Sequence, residues 1–191
     1  MMNTSISTKS AQISGSQLHQ VQLISLREHK DYRGSFTEIF QNYWGTVLKP
    51  VQWSVVKSEP NVFRGMHFHL RHDEYFCLIE GHALLGLRDL RPGSPTQHQS
   101  ALFELHSNDP AALVFPRGML HGWYFHTPSI HVQSVSEAYS DYGQNDNWRC
   151  AWDDPELELP WNIENPILTD AASTAPSLRT LLDALSRANY K

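Results

Sequence analysis

Four side chains in the middle of the chain have the types and the spacing of a metal site. His67 and His69 are separated by one residue, Glu74 follows after four more, and His121 lies in a later segment. Imidazole nitrogens and a carboxylate oxygen are ligands that first-row divalent metals accept. We therefore predict one divalent metal ion, held by His67, His69, Glu74 and His121. These ligands would serve Fe, Mn, Ni, Co or Zn.

Short strands must bring these four side chains together. Ten segments have the alternating pattern or the β-branched and aromatic content of strands, and turn residues separate them. They cover residues 21–26, 35–40, 51–57, 63–69, 75–79, 82–87, 100–105, 111–115, 118–125 and 130–136. Many short strands without intervening helices predict an all-β sandwich or barrel. In the fourth segment, alternation places Phe63, Gly65, His67 and His69 on one face.

The rest of the chain predicts little regular structure apart from one helix. Residues 141–165 are rich in Asp, Trp, Asn and Pro and show no period, which indicates an irregular segment that wraps the barrel. Leu178, Leu181, Leu182 and Leu185 have helical spacing and predict a short C-terminal helix. Residues 1–16 lack an apolar core and are interpreted as a disordered lead-in, which leaves 17–191 as a single domain.

Bulk composition excludes several classes of protein. The formal net charge is -5, so nothing suggests binding to nucleic acid. No apolar run reaches the length of about 18 residues that a membrane span needs. The two cysteines, Cys77 and Cys150, form no disulfide framework and fit a reducing cytoplasm. A cytoplasmic protein with neither a nucleic-acid nor a membrane partner is the expectation.

An ordered series of short motifs resembles one known family. The series comprises Asp31-x-Arg33-Gly34-x-Phe36-x-Glu38, Gln52, Arg64-Gly65-Met66-His67-Phe68, Asp89-Leu90-Arg91, Pro116-x-Gly118-x-x-His121-Gly122, Trp152-Asp153-Asp154-Pro155 and Pro166-Ile167-Leu168-Thr169. Together they resemble the dTDP-4-dehydrorhamnose 3,5-epimerases. The resemblance implies a cupin fold (a double-stranded β-helix, or jelly-roll barrel), a homodimer, and proton abstraction beside the 4-keto group of a nucleotide-linked sugar.

The catalytic positions of that family are only partly retained. The resemblance makes His67 the base, with Arg64 beside it. The family's lysine position holds Glu74, its tyrosine position holds Ser134, and its aspartate position holds Ala172. The resemblance also implies that His69 replaces an amide. The changes at His69 and Glu74 together supply the two ligand types that a metal-binding cupin needs.

Two residues near the lost positions are candidate replacements, and several others are candidate substrate contacts. Asp170 lies two residues before the aspartate position, and Tyr139 would serve as the acid if the strand pairs differently. Arg33 and Glu38 either form an exposed hairpin pair or contact the nucleotide diphosphate, as the resemblance implies. The full set of predicted substrate-binding residues is Arg33, Glu38, Gln52, Arg64, Ser134 and Tyr139.

The two interpretations of His67 conflict, because a nitrogen that binds a metal cannot also accept a proton. If His67 is a ligand, the proton moves through His72, His131 or Asp170. The leading hypothesis is a metal-assisted isomerase or epimerase of a nucleotide-linked keto sugar, in which the metal stabilises an enediolate. The alternatives are a mononuclear Fe(II) cupin oxygenase acting on a small polar substrate and a sugar-binding relative without catalysis.

Overall fold

Thirteen strands make up most of the regular structure in the computed structural model, which describes residues 9–190. Their bounds are β1 Ala11–Gly15, β2 Gln22–Ser25, β3 Glu28–Asp31, β4 Gly34–Thr37, β5 Gln52–Ser58, β6 Phe63–Phe68, β7 Glu74–Glu80, β8 His82–Asp89, β9 Ser100–His106, β10 Ala111–Phe115, β11 Met119–Phe125, β12 Ser129–Val135 and β13 Trp148–Arg149. The helices are α1 Tyr139–Tyr142, α2 Asp170–Ser173 and α3 Leu178–Arg187, with 3₁₀ turns at Asn42–Trp44, Gly143–Asp146 and Pro155–Leu157. Each of the ten predicted strand segments overlaps a strand of the structure.

The strands form two large antiparallel sheets and one separate hairpin. The six-stranded sheet has the order β1-β9-β8-β11-β6-β13, and the five-stranded sheet has the order β2-β10-β7-β12-β5. Residues of both sheets, such as Phe76 and Leu113 from one and Leu85 and Phe103 from the other, pack into a single buried cluster between them. The predicted all-β jelly roll is therefore confirmed.

The C-terminal segment covers the outer face of the six-stranded sheet. Helix α3 begins after Ser177, whose side chain accepts a hydrogen bond from the backbone N–H of Thr180. The helix buries Leu178, Leu181 and Leu185 against this sheet, which confirms the helix predicted from the leucine spacing. None of the helices in residues 9–190 has the length and apolar content of a membrane span.

Strand β6 skips one residue where it pairs with β11. His67 is opposite His121 and Gly65 is opposite Gly122, so Met66 has no partner in the ladder. Gly65 has a φ of +124°, and a Cβ atom there would lie 2.7 Å from the Cα atom of Gly122. Only glycine fits this position without displacing the neighbouring backbone. The strand therefore contains a β-bulge directly before His67.

The bulge corrects the prediction of which residues share a face. An extra residue reverses the alternation of side chains upstream of it. Phe63, predicted to share a face with His67, packs in the outer cluster, where its ring centroid lies 5.0 Å from that of Trp161, although it also borders the cavity. Arg64, predicted on the opposite face, lines the same cavity as His67. The sequence pattern alone does not reveal the bulge.

The N-terminal prediction was wrong for residues 11–15. This segment forms β1, which pairs antiparallel with β9 at the edge of the six-stranded sheet. Only Ile13 among its five residues has a large apolar side chain, so the segment shows no alternating apolar pattern in the sequence. Residues 1–8 lie outside the described residues, and the predicted single domain from residue 17 stays a prediction.

Candidate functional site

A cavity of about 430 Å³ lies at one end of the barrel, between the two sheets. Strands β6, β7 and β11 contribute polar side chains to it, and the segment around α2 contributes part of its rim. The residues that line it are Val56, Val62, Phe63, Arg64, Gly65, His67, His69, His72, Glu74, His121, Trp123, Gln133, Val135, Tyr142, Asn147, Ile167, Leu168, Thr169 and Ala172. All four predicted metal ligands are among them.

Glu74 is the centre of a buried cluster of imidazoles. Its Oε1 atom lies 3.2 Å from Nε2 of His121, 3.5 Å from Nε2 of His69 and 3.7 Å from Nε2 of His72. All four side chains are buried, and Glu74 is 5% exposed. The first residue of β7 thus places a carboxylate against histidines from β11 and from the segment after β6.

The hydrogen bonds of two of these histidines fix which ring nitrogen carries a proton. Nδ1 of His69 lies 2.6 Å from the carbonyl oxygen of Asp146, and Nδ1 of His121 lies 3.0 Å from that of Met119. Since a carbonyl oxygen only accepts, Nδ1–H must donate in both rings. In the neutral rings, both Nε2 lone pairs therefore face the carboxylate oxygen of Glu74. Three acceptors thus converge on one point, and Nε2 of His72, whose tautomer no other hydrogen bond fixes, lies 3.7 Å from the same carboxylate oxygen.

The pKa values of Glu74, His69 and His121 leave these three acceptors without a proton of their own. Burial would raise the pKa of Glu74, but His121, His72 and His69 outweigh it and lower the pKa to about 2. Burial lowers the pKa of His69 to about 4 and also lowers that of His121. At neutral pH the carboxylate of Glu74 therefore faces the neutral imidazoles of His69 and His121, which together are a donor set for a cation.

His67 stands apart from this cluster. The ligand atoms of His69, His72 and Glu74 all lie within 4.8 Å of one another, and no such group among the described residues includes His67 or His121. Nε2 of His121 nevertheless lies 3.2 Å from Oε1 of Glu74, whereas neither ring nitrogen of His67 comes within 4.0 Å of that carboxylate. Its ring centroid is 6.2 Å from that of His69 and 6.1 Å from that of His121. Burial, with His121 and His69 adding to it, lowers the pKa of His67 to about 3. Its imidazole is neutral and faces the cavity.

Arg64 brings a positive charge to the same cavity. Its guanidinium donates to Oγ of Ser58 at 3.0 Å and to the carbonyl oxygen of Lys57 at 3.1 Å. Burial lowers the pKa of Arg64. Since no carboxylate of the described residues forms an ion pair with it, the guanidinium is available for an oxygen atom of a substrate.

Three cavity features escaped the sequence analysis. Tyr142 lines the cavity, with its ring centroid 4.3 Å from that of His72, and burial raises its pKa to about 12. Asp146 accepts the backbone N–H groups of Leu70 and Arg71 with its carboxylate. Both residues lie in the region without a period, which gave no signal. Gln133 could have been found from alternation along β12.

Several predicted substrate contacts lie elsewhere. Ser134 points away from the cavity, because Gln133 and Val135 beside it point inward, and its hydroxyl donates to the carbonyl oxygen of Gln52 at 2.8 Å. Gln52 accepts a hydrogen bond from the backbone N–H of Tyr139 at 2.9 Å. Neither lines the cavity, nor does Tyr139, which is 44% exposed.

The remaining predicted residues lie on the surface. Asp170 is exposed at the start of α2 and does not line the cavity, whereas Ala172 does. Arg33 is in the exposed β3–β4 hairpin and pairs with Asp31, with Nη2 2.6 Å from Oδ2. Glu38 follows that hairpin and is exposed as well. Their contacts with a nucleotide stay predictions.

His131, a predicted proton carrier, belongs to the core between the sheets. It is fully buried, and its ring stacks on those of Phe76 and Phe125, with centroids 4.4 Å and 5.4 Å away. It does not line the cavity, and burial lowers its pKa to about 4. Its position therefore suits a packing residue that must stay neutral.

We expect His131→Leu to make the protein less sensitive to acid. The pKa of His131 is lower in the folded chain than its usual 6.5. The buried neutral ring therefore makes its full contribution to the free energy of unfolding above pH 6.5, and this contribution declines as the pH falls towards 4. Between neutral pH and pH 5, the free energy of unfolding of the wild type should fall by about 2 kcal/mol more than that of the variant. Urea unfolding of both proteins at pH 7.5 and pH 5 measures this difference. Equal losses in the two proteins would contradict the burial of a neutral imidazole.

Comparison with known proteins agrees with the site and the fold. Residues 15–180 match the dTDP-4-dehydrorhamnose 3,5-epimerase family. The spore coat polysaccharide biosynthesis protein SpsL of Bacillus subtilis is 30% identical over 146 residues, which cover 75% of this chain and 96% of that protein. A dTDP-4-dehydrorhamnose 3,5-epimerase of Sinorhizobium fredii is 28% identical over 168 residues, which cover 83% of this chain and 85% of that protein.

A solved structure shares the whole barrel. The crystal structure of dTDP-4-dehydrorhamnose 3,5-epimerase from Bacillus anthracis, with TDP and PPi bound, superposes with a TM-score of 0.78 at 28% identity. The match covers 88% of this chain and 99% of that one. Both the cupin barrel and the sugar-nucleotide epimerase class implied by the motifs are confirmed. The chain belongs to the dTDP-4-dehydrorhamnose 3,5-epimerase family, a family of enzymes that act on sugar nucleotides.

Proposed function

We propose that this enzyme epimerises a nucleotide-linked 4-keto sugar, with a dTDP-linked 6-deoxy sugar as the first substrate to test. One observation carries the proposal. The barrel cavity holds a neutral His67 without a hydrogen-bond partner among residues 9–190, beside an Arg64 without a carboxylate partner. This pair can accept a proton from a carbon atom and hold the adjacent oxygen.

We further propose that one divalent metal ion binds at Glu74. The convergence of three acceptor atoms on one point supports this, because a cation there would turn mutual repulsion into coordination. His69 and His121 each donate Nδ1–H to a backbone carbonyl oxygen, as metal-ligating histidines commonly do. His72 is the fourth candidate ligand, and His67 is left out of the set. When bound, the metal would act as a Lewis acid on a carbonyl oxygen.

This division of roles removes the conflict over His67. The imidazole of His67 takes the proton from the carbon atom next to the keto group, while the guanidinium of Arg64 orients the sugar through an oxygen atom. Tyr142 is the tyrosine that lines the cavity, and its raised pKa keeps its hydroxyl protonated. It is our candidate for the acid that returns a proton, in place of the earlier candidates Tyr139 and Asp170.

Incorporation of solvent deuterium tests this function directly. A 4-keto-6-deoxy sugar linked to dTDP is incubated with the enzyme in D₂O, and mass spectrometry and NMR follow the sugar carbons beside the keto group. We expect deuterium at a carbon atom beside the keto group, without consumption of oxygen. Oxygen uptake that depends on iron would instead indicate the oxygenase, and binding without exchange would indicate the non-catalytic relative.

We also propose a homodimer, with the cytoplasm as its location. Trp53 and Val55 on the edge strand β5 alternate with Val51 directly before it, and these three residues are 44%, 67% and 61% exposed. An apolar stripe on a sheet edge indicates a contact surface. We propose that the exposed β3–β4 hairpin, which carries Arg33, reaches the nucleotide bound by the partner.

The free cysteines Cys77 and Cys150 support the cytoplasm as the location, because free thiols are typical of a reducing compartment.

We expect Val55→Glu to convert the dimer to a monomer, because two buried carboxylates would then meet without compensating charge. Light scattering coupled to size-exclusion chromatography measures the mass of each protein. Ile13→Glu is the matched control, since Ile13 is 49% exposed on β1, at the edge of the other sheet. A dimer that persists in Val55→Glu, or a monomer in Ile13→Glu alone, would move the contact surface away from β5.

A further inference from the structure

A second group of histidines lies outside the barrel, on the outer face of the six-stranded sheet. His82 is directly opposite His106 in the ladder between β8 and β9. On its other side, the backbone N–H of His126 donates to the carbonyl oxygen of His82 at 3.0 Å. The three imidazoles thus form a row across three adjacent strands, since neighbouring strands are about 4.8 Å apart.

The three rings are in contact along this row. The ring centroid of His82 lies 4.1 Å from that of His106 and 4.1 Å from that of His126. Glu104 lies on the same face, two residues before His106 on β9. Its Oε1 atom is 2.8 Å from Nε2 of His82 and 3.8 Å from Nε2 of His106. One carboxylate oxygen therefore faces two imidazole nitrogens.

His106 carries the second observation that points to a ligand. Its side chain is 8% exposed, and its Nε2 atom is buried without a hydrogen-bond partner. An unpaired buried nitrogen costs free energy unless something binds to it. The ligand atoms of His82, Glu104 and His106 all lie within 4.8 Å of one another. The unpaired nitrogen is thus aimed at a group that already has the composition of a metal site.

We infer that His82, Glu104 and His106, with His126 beside them, form a second metal site that binds Zn²⁺ or a similar first-row divalent ion. Neutral imidazole and carboxylate are the donors that such ions accept. Coordination replaces the hydrogen bond between His82 and Glu104 and requires the stacked rings to fan out. His82 is 25% exposed, and His126 lies on the surface, so both rings can turn.

The chemistry of this site differs from that of the cavity. It lies on the outer face of the sheet, away from Arg64 and His67, so its metal would not touch a substrate in the barrel. Instead, the ion would link β9, β8 and the end of β11 at one end of the sheet. A ligand that binds only the folded chain stabilises it by mass action. The inference does not depend on the proposed epimerase.

Zn²⁺ titration of three variants tests the inference. The metal-free wild type and three single variants, Glu74→Gln, His82→Gln and Glu104→Gln, are each titrated with Zn²⁺ in a calorimeter. Two of these changes, His82→Gln and Glu104→Gln, are at the outer site. We expect two Zn²⁺ ions per wild-type chain and one in each variant. In the Glu74→Gln background, Zn²⁺ should raise Tm, and adding His82→Gln should abolish that rise. His29→Gln, at an exposed histidine on the hairpin, is the control.

The outcomes separate the two metal sites. If the cavity binds no metal, the wild type binds one ion, and His82→Gln alone removes it, which still supports the outer site. If His82→Gln and Glu104→Gln both bind as much Zn²⁺ as the wild type, the outer site is overturned. Loss of the same ion in His29→Gln would also overturn it, because the ion would then belong to scattered surface histidines.

Discussion

Replacing His67 by Asn should stop proton exchange into the sugar and leave the metal content unchanged. The amide keeps the side chain polar but cannot accept the proton, and loss of a general base costs about 10²- to 10⁴-fold in rate. Deuterium incorporation measures the exchange, and elemental analysis measures the metal. The two readouts distinguish the base from a ligand, which activity alone cannot do.

His69→Asn is the matched comparison for this variant. His69 is two residues further along the chain, and its Nε2 atom lies 3.5 Å from Oε1 of Glu74, so its loss should lower both metal content and turnover. If His67→Asn also loses the metal, His67 returns to the ligand set, and the proton must move through another group. If His67→Asn retains exchange, the assignment of the base is wrong.

Glu74→Gln should lose the cavity metal and with it the turnover of the enzyme. Removal of the only carboxylate of the cluster should weaken metal binding by about 100-fold or more, since changes outside the ligand set already cost about 10- to 100-fold. The measurement is made in a chain that also carries His82→Gln, so that the outer histidines contribute no metal. Glu80→Gln, at an exposed residue of the same strand β7, is the control.

The same substitution has a second consequence that does not depend on activity. The amide of Gln at position 74 can donate a hydrogen bond to Nε2 of His121, which lies 3.2 Å from the carboxylate oxygen. One repulsive contact between acceptors would become a bond worth about 1 kcal/mol. We therefore expect the metal-free variant to have a higher Tm than the metal-free wild type. A lower Tm would mean that the cluster carries a proton of its own.

The strands and the final helix could be predicted because their signals are local. Two apolar runs joined by Glu80-Gly81 mark β7 and β8, and the spacing of Leu178, Leu181 and Leu185 marks α3. The pairing of ligand types at His69 and Glu74 was equally visible, because it needs only residue identity and spacing. These features require no knowledge of which strands become neighbours.

The parts that could not be predicted depend on contacts across the chain. The bulge at Gly65 exists because β6 and β11 approach closely, and it alone moves Arg64 to the cavity. Tyr142 and Asp146 enter the site from a segment without a period, whose path is set by packing on β6. Ser134 was predicted as a substrate contact from its place in the family's sequence. Neighbouring residues of a strand point to opposite faces of the sheet, and on β12 it is Gln133 that points into the cavity.

The contact between His69 and Asp146 affects which changes the site can tolerate over evolution. The orientation of His69 depends on a main-chain carbonyl oxygen, while the carboxylate of the same residue binds the backbone of Leu70 and Arg71. A side-chain substitution at position 146 would remove the two hydrogen bonds that hold this carbonyl against His69, and an insertion or deletion between Tyr139 and Trp148 would displace it. We expect selection to act on Asp146 and on the length of this loop more strongly than on the rest of its composition.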